Sequence, residues 1–428
     1  MESQFRLRLV TTLSAALEFY DFTLMVFLTP VIGKVFFPDF IHSSQTMLVF
    51  TIFFAGYLPR FIGGLLYSHS GDTRGRKRSY NGSIILMSLS TLGIALLPGT
   101  LAIGAMAPLL LLLLRVLQGL SLGGEIPGAV VFAAEHSPAG KRGLVTGLIV
   151  SGVTAGNVLA TGAIAGFYFW FGESAMIEWG WRILFAFGSL LGLLSFWLRS
   201  TFTETPVFEK RESIESQIPL KQLLTKHRLE LLRGSLVSAV PATCISTLFF
   251  LPNYQFNYLQ DQQSPVFTSF NFFLSLTLLS LFVAWCSDRT GRLPMMRAGA
   301  LIMLMLPFTV TLLRYELLPA YIAFLPLLLA GGLVMGIYES SMVELFPTGV
   351  RFSGVAFSHN LAFAFIGGAT PLTLEWLCQQ GFLLAPAVLP AAFAVLLLIV
   401  SRGWKDKYRE NLVNISSTSN IQQESAVE

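Results

Sequence analysis

The chain has 428 residues, of which 54% are hydrophobic and only 12% charged, whereas a soluble globular domain carries about 25% charged residues. That balance excludes a soluble enzyme. The net charge of +4 invites a nucleic-acid partner, but the basic residues are placed as a membrane would require.

Twelve apolar runs, each near the ~20 residues that cross a bilayer, follow one another at 9–32, 46–67, 81–97, 103–126, 143–170, 181–198, 231–251, 266–286, 297–313, 320–341, 352–374 and 382–401. The first holds Glu18 and Asp21 and has no small-residue cleavage site after it, so it remains as a helix and is not a cleaved signal. Lys and Arg gather in alternate loops: Arg6 and Arg8, Arg74 to Arg78, Lys141 and Arg142, the stretch from Arg199 to Arg233, Arg289 to Arg297, Arg351, and the tail after Arg402. The positive-inside rule makes those loops and both termini cytoplasmic. The expectation is an all-α, multi-pass protein of the inner (plasma) membrane with twelve transmembrane helices in two halves of six. Its parts are a first half at 1–199, a cytoplasmic linker at 200–230, a second half at 231–402 and a polar tail at 403–428. The basic stretch 221–233, running from the linker into the second half, is expected to lie on the membrane surface. The Ser-, Asn- and Gln-rich tail is expected to be disordered. Cys244, Cys286 and Cys378 lie in or beside apolar runs without motif spacing, which gives neither a disulfide framework nor a metal site.

The chain repeats itself. Glu135-x-x-Pro138-x-Gly140-x-Arg142 returns as Glu344-x-x-Pro347-x-Gly349-x-Arg351 at an offset of 209, and Asp72-Thr-Arg-Gly75-Arg76 returns as Asp288-Arg-Thr-Gly291-Arg292 at an offset of 216. Both offsets are near half the chain. In each half the Asp-Gly-Arg loop follows the second run and the Glu-Pro-Gly-Arg loop follows the fourth, an internal symmetry from which rocking, alternating-access transporters are built.

At these loops the chain resembles the major facilitator superfamily, and within it the metabolite:proton symporter family of proline/betaine, citrate, oxoglutarate and shikimate carriers. The resemblance covers nearly the whole chain and rests on Glu18-Phe-Tyr-Asp-Phe22, Gly71-Asp-Thr-Arg-Gly-Arg-Lys77, Arg115-Val-Leu-Gln-Gly119 with Gly123-Gly-Glu125, Trp179-Gly-Trp-Arg182, Glu204-Thr-Pro-Val-Phe208, and Glu344-Leu-Phe-Pro347 through Arg351. Ser68 and Ala284 stand where the two loop motifs usually begin with Gly. The resemblance implies the major facilitator fold and proton-coupled uptake of a small metabolite, with no cofactor and the proton as coupling ion.

Glu18 and Asp21 are three apart and share a helix face, and a rise of ~1.5 Å per residue puts Asp21 near the bilayer middle. A charge there costs roughly 2.5–3.5 kcal/mol on insertion scales, so it faces the bundle interior or water. One of these acids carries the coupling proton, or both are fixed structural carboxylates; intramembrane ionisable groups mark pathways by default. Glu125 is either a second relay acid or the partner of a loop arginine. Arg115 either pairs with Glu18 or Asp21, receives a solute carboxylate, or orders the bundle in a fixed ion pair. Asn157, His359 and Asn360 can hydrogen-bond solute or glue helices together. The candidate solute-binding residues are Tyr20, Arg115, Gln118, Asn157, Glu339 and Asn360. Asp72, Arg76, Glu135, Arg142, Asp288, Arg292, Glu344 and Arg351 are the candidate cytoplasmic gate, closed by charge-assisted pairs, unless those basic residues only fix topology.

Within the runs, the acids Glu18, Asp21, Glu125 and Glu339 exceed the bases Arg60 and Arg115 by two charges. A trianion lacks enough positive partners, since an unpaired buried charge is penalised by several kcal/mol. A zwitterion fits: its carboxylate meets Arg115, while its ammonium meets an acid and the faces of Tyr20, Phe22 or Tyr338, at about 0.5–2 kcal/mol of cation–π attraction. The expected solute is proline-, betaine- or amino-acid-like, with uptake of mono-, di- or tricarboxylates, or proton-driven efflux, as alternatives. An enzyme is opposed by the absence of a phosphate-binding loop and of any metal-spaced His/Cys cluster. The expected partners are a small solute and the lipid bilayer, not nucleic acid, and the expected unit is a monomer.

Overall fold

Where no water reaches the backbone, N–H and C=O groups must be satisfied within the chain, and helices do this span by span. The computed structural model describes the backbone of residues 2–74, 76–200, 219–259 and 265–412, and the side chains of 9–67, 82–197, 223–259, 266 and 268–412. Among the described residues there is no strand. Nine stretches of the described residues are long and apolar enough to cross a membrane. One of them, the 56-residue Arg142–Trp197, holds two passes, Arg142–Ala175 and Trp181–Ser200, joined through the π-helical turn Met176–Gly180. Gly82–Leu96 and Ala385–Val400 are shorter apolar helices, and they complete twelve passes, six before and six after the segment 201–218. The linker expected at 201–218, with the Glu204 motif, and the tail at 413–428 lie outside the described residues.

The bundle buries charged and polar groups within its apolar core and turns large apolar side chains outward. Arg60, Arg115, Gln118 and Asn157 are fully buried, while Leu66, Leu89, Leu190 and Leu278 are exposed. This inverts the soluble pattern and is what a lipid solvent selects.

Several passes are not continuous. The fourth breaks between Met106–Leu122 and Glu125–Glu135, and the tenth between Leu325–Met335 and Tyr338–Leu345. At the first break the second and fourth passes touch backbone to backbone: a Cβ on Gly119 would lie 1.7 Å from the Gly56 carbonyl oxygen, and one on Gly123 would lie 2.1 Å from that of Arg60. Only glycine permits this approach. Broken helices of this kind place main-chain groups and helix ends at the depth where carriers bind solutes.

The two halves meet chiefly where the fifth pass packs on the eighth and the second on the eleventh. Gly147 of the fifth pass lies against Ala284, where an added Cβ would come within 2.2 Å of the alanine methyl. The small residue that lets these helices close thus stands in the first half, and Ala284 is accommodated.

The tail departs from expectation. Residues 403–412 form turns against the loop ends of the bundle instead of a disordered segment. Asp406 accepts the N–H groups of Arg292 and Leu293 at 2.7 and 2.9 Å, and Trp404 packs on the core. Composition argued for solvation, but these few specific partners hold the segment in place.

Candidate functional site

Among the described residues, three clusters of buried polar groups bear on the two halves and their contact. The first lies wholly within the first half. Thr91 donates its hydroxyl hydrogen to Asp21 Oδ2. Gln118 Nε2 donates to the Thr91 hydroxyl at 2.7 Å and lies 3.5 Å from Asp21 Oδ1. Arg115 in turn donates through Nη1 to Gln118 Oε1 at 2.8 Å and to the Phe22 carbonyl at 3.1 Å. Its guanidinium lies 4.6 Å from the Phe22 ring centroid and 5.6 Å from that of Phe53. Of the readings open for Arg115, a direct ion pair with an acid of the first pass is not what forms: Gln118 bridges Arg115 to Asp21 and Thr91. Glu18 is buried one turn before Asp21.

Two of the named residues are not brought to this cluster. Tyr20 donates its hydroxyl to the Leu184 carbonyl at 3.2 Å and meets Phe187 edge-on at 5.8 Å, so it packs the first pass on the sixth; Phe22 faces the arginine instead. Asn157 turns back on its own helix, donating to the Val153 carbonyl at 3.3 Å.

The second cluster joins the halves. Arg60, from the second pass, donates through Nε to Asn360 Oδ1 at 3.0 Å, and its Nη2 lies 2.7 Å from His359 Nε2. Asn360 Nδ2 donates at 2.7 Å to the Gly123 carbonyl that the broken fourth pass leaves open. His359 Nδ1 lies 2.9 Å from Glu339 Oε1. Glu339 occupies the first turn of Tyr338–Leu345, and Glu125 occupies that of Glu125–Glu135, positions where a helix N-terminus favours an acid. Glu125 accepts a hydrogen bond from Ser83 at 2.6 Å.

The third cluster closes the end of the bundle where the first pass begins and residues 403–412 lie. Each half's arginine takes the other half's glutamate: Arg142 lies 3.3 Å from Glu344, and Arg351 lies 2.9 Å from Glu135. The repeated loops thus interlock as a two-fold relation between halves requires. Arg292 bridges Asp288 at 2.8 Å and Glu344 at 3.2 Å. Burial acts against its charge, and the Glu344 and Asp288 carboxylates more than offset this, so its pKa lies above the ordinary arginine value. Asp288 also accepts the N–H groups of Gly143 and Leu144 at 2.8 and 2.9 Å, capping the fifth pass from the opposite half. The tail joins in: Arg142 donates to the Glu410 carbonyl and Arg351 to the Leu412 carbonyl at 3.0 Å. The side chains of Asp72 and Arg76 lie outside those described.

At the opposite end, Gln379 donates to the Ser43 carbonyl of the first half at 3.1 Å, and His42 meets Phe256 with ring centroids 6.4 Å apart. A cavity of about 650 Å³ opens nearby, but its lining, which includes Tyr254, Arg314 and Leu383, belongs to the second half alone.

Sequence reasoning missed several members. Arg60 was counted as a span base and given no partner. Thr91 is an uncharged residue in an apolar run and carries no signal. Asp406 sat in a tail read as solvated. Glu375, fully buried and accepting from Tyr258 at 3.0 Å and Gln379 at 2.9 Å, fell one residue past a run ended at 374.

A family model described as the Major Facilitator Superfamily matches residues 11–371. The proline/betaine transporter of Salmonella typhimurium is 32% identical over 411 residues, covering 92% of this chain and 82% of that protein. The glycine betaine/proline/ectoine/pipecolic acid transporter of Dickeya dadantii is 32% identical, covering 88% and 78%. Among solved structures, the proton:xylose symporter bound to 6-bromo-6-deoxy-D-glucose superposes with a TM-score of 0.79 at 17% identity, over 97% of this chain and 98% of that one; this likeness bears on the fold.

Proposed function

The chain belongs to the Major Facilitator Superfamily, a family of transporters and not of enzymes, and from that premise we propose that it takes up a small zwitterionic solute across the inner membrane together with protons. The observation that carries this reading is how the buried ionisable groups are sorted. Asp21 and Arg115 are tied to one another inside one half, so a proton can load and leave without disturbing the contact between halves. Arg142 pairs with Glu344 and Arg351 with Glu135 across the halves, so these two contacts break whenever the two bodies rock apart. Proton binding and gating therefore have separate seats.

The excess of Lys and Arg in the loops of the interlocked end makes that end cytoplasmic, with both termini. The closed pairs then describe a carrier shut toward the cytoplasm. The zwitterion is favoured by relatives named for proline, betaine and ectoine, and by a buried cluster in which a cation and an acid, Arg60 and Glu339, come from opposite halves.

The test is uptake by purified protein in liposomes, with L-proline, glycine betaine and citrate offered under an imposed inward proton gradient. Saturable accumulation of a zwitterion that a protonophore collapses is expected. Accumulation of citrate alone, or uptake indifferent to the gradient, overturns the reading.

A further inference from the structure

We propose that Arg60 and Glu339 grip the charged head of the solute, and that His359 stands in for that head while the site is empty. The inference rests on the zwitterion reading above and locates it. An arginine side chain only donates hydrogen bonds, so His359 Nε2, 2.7 Å from Arg60 Nη2, must be the accepting nitrogen. The ring hydrogen is then on Nδ1, which faces Glu339 Oε1 at 2.9 Å. Held this way, the imidazole turns an acceptor toward the cation and a donor toward the acid. An amino-acid zwitterion offers the same pattern, with its carboxylate for the guanidinium and its cationic nitrogen for the carboxylate. The zwitterion is one atom longer, because one carbon separates the two ring nitrogens whereas two, the α-carbon and the carboxylate carbon, separate the nitrogen of proline or glycine betaine from its carboxylate oxygens.

Three observations support a site that awaits an occupant. Arg60 is fully buried and Glu339 is 1% exposed, yet Arg60 Nη1, both Glu339 carboxylate oxygens and His359 Nδ1 make no well-aligned hydrogen bond, His359 Nδ1 and Glu339 Oε1 meeting only as close neighbours at 2.9 Å; buried polar atoms are seldom left so. Aromatic rings line the position of the imidazole: Phe363 stacks on it at 4.5 Å and Tyr338 at 6.1 Å, and such rings attract quaternary or secondary ammonium groups. Finally, Arg60 has a fixed anchor in Asn360, itself tied to the Gly123 carbonyl, so the guanidinium keeps its place when the histidine swings out. Arg115, by contrast, is bound to Gln118 and Phe22 of its own half and faces no acid of the other half. A solute held between Arg60 and Glu339 spans both halves, which lets its binding bear on their closure.

The test compares glycine betaine with 3,3-dimethylbutyrate, in which a neutral carbon replaces the cationic nitrogen, by tryptophan-quench titration of purified full-length protein. Wild type is expected to prefer glycine betaine, and Glu339→Gln to shift the ratio of the two dissociation constants about tenfold toward the neutral analogue, equivalent to ~1.4 kcal/mol. A ratio taken within one preparation does not depend on the folded fraction. An unchanged ratio in a wild type that does bind betaine overturns the assignment and leaves the solute class standing; a wild type that binds neither betaine nor L-proline removes both. His359→Phe abolishes the stand-in and is expected to tighten betaine binding several-fold. Weaker binding there makes His359 a direct ligand and overturns its role as a substitute.

Discussion

The Asp21 cluster and the interlocked loops are both networks of buried charge, yet they differ in where their partners lie. Every link from Asp21 through Thr91 and Gln118 to Arg115 stays within the first six passes. At the loops, Arg142 and Arg351 reach into the opposite half. Rigid-body rocking conserves the first set of contacts and destroys the second. A change in the first cluster should therefore alter what drives transport, and a change in the second should alter which state is populated.

The largest effect is expected at Asp21. Asp21→Asn keeps an oxygen to accept the Thr91 hydroxyl but cannot take up and release a proton. Gradient-driven accumulation in liposomes should fall by an order of magnitude or more, roughly the scale on which a general acid–base group acts, while exchange of labelled for unlabelled solute persists. Loss of exchange along with accumulation erases the distinction between the two clusters at this position. Accumulation that survives the change moves coupling to Glu18 or Glu125.

Within the loops the two exchanged pairs are not equal, and this sharpens the comparison. Glu344 is 4% exposed and faces both Arg142 and Arg292, whereas Glu135 is 38% exposed. Glu344→Gln leaves two buried guanidinium groups without their shared carboxylate, a change worth about 3–5 kcal/mol against the closed state. Glu135→Gln lets water replace a partly exposed partner, at about 0–1 kcal/mol. A single cysteine at Ser151, which faces Ser280 across the halves at 3.4 Å, reports the opening in a background free of Cys244, Cys286 and Cys378. Its labelling from the loop side should rise far more with Glu344→Gln than with Glu135→Gln. Equal rates would show that burial does not set the strength of these pairs.

What could be read without coordinates follows the physics of each signal. Span positions and the repeated loops were legible because lipid demands ~20-residue apolar runs and because Glu135, Arg142, Glu344 and Arg351 recur at a fixed offset. Asp21 and Arg115 were legible as intramembrane charges. Which charge meets which was not, because partnership depends on helix rotation: Glu339 was named only as an acid for the solute, with no partner in the chain, and the structure sets it beside His359 and Arg60. Tyr20 was assigned to the solute for its aromatic face, yet helix rotation, about 100° per residue, turns its hydroxyl toward Leu184. The tail escaped because a few hydrogen bonds outweighed a composition that argued for disorder.

That tail gives the smallest expected effect and asks whether the interlocked end consists of the exchanged pairs alone. Asp406 accepts the N–H groups of Arg292 and Leu293 and so caps the helix Leu293–Met303 from a distance of more than a hundred residues. A lost cap of this kind costs about 0.5–2 kcal/mol, well below the removal of Glu344. Asp406→Ala should lower the melting temperature of the purified protein slightly and raise labelling at Ser151→Cys by a smaller factor than Glu344→Gln does. The reason is that Glu410 and Leu412, whose carbonyls accept from Arg142 and Arg351, lose the tether that holds them beside the pairs. A rise in labelling as large as that of Glu344→Gln would make the tail a full member of the gate. No change in either measurement would make residues 403–412 a passenger on a closure that the two halves achieve by themselves.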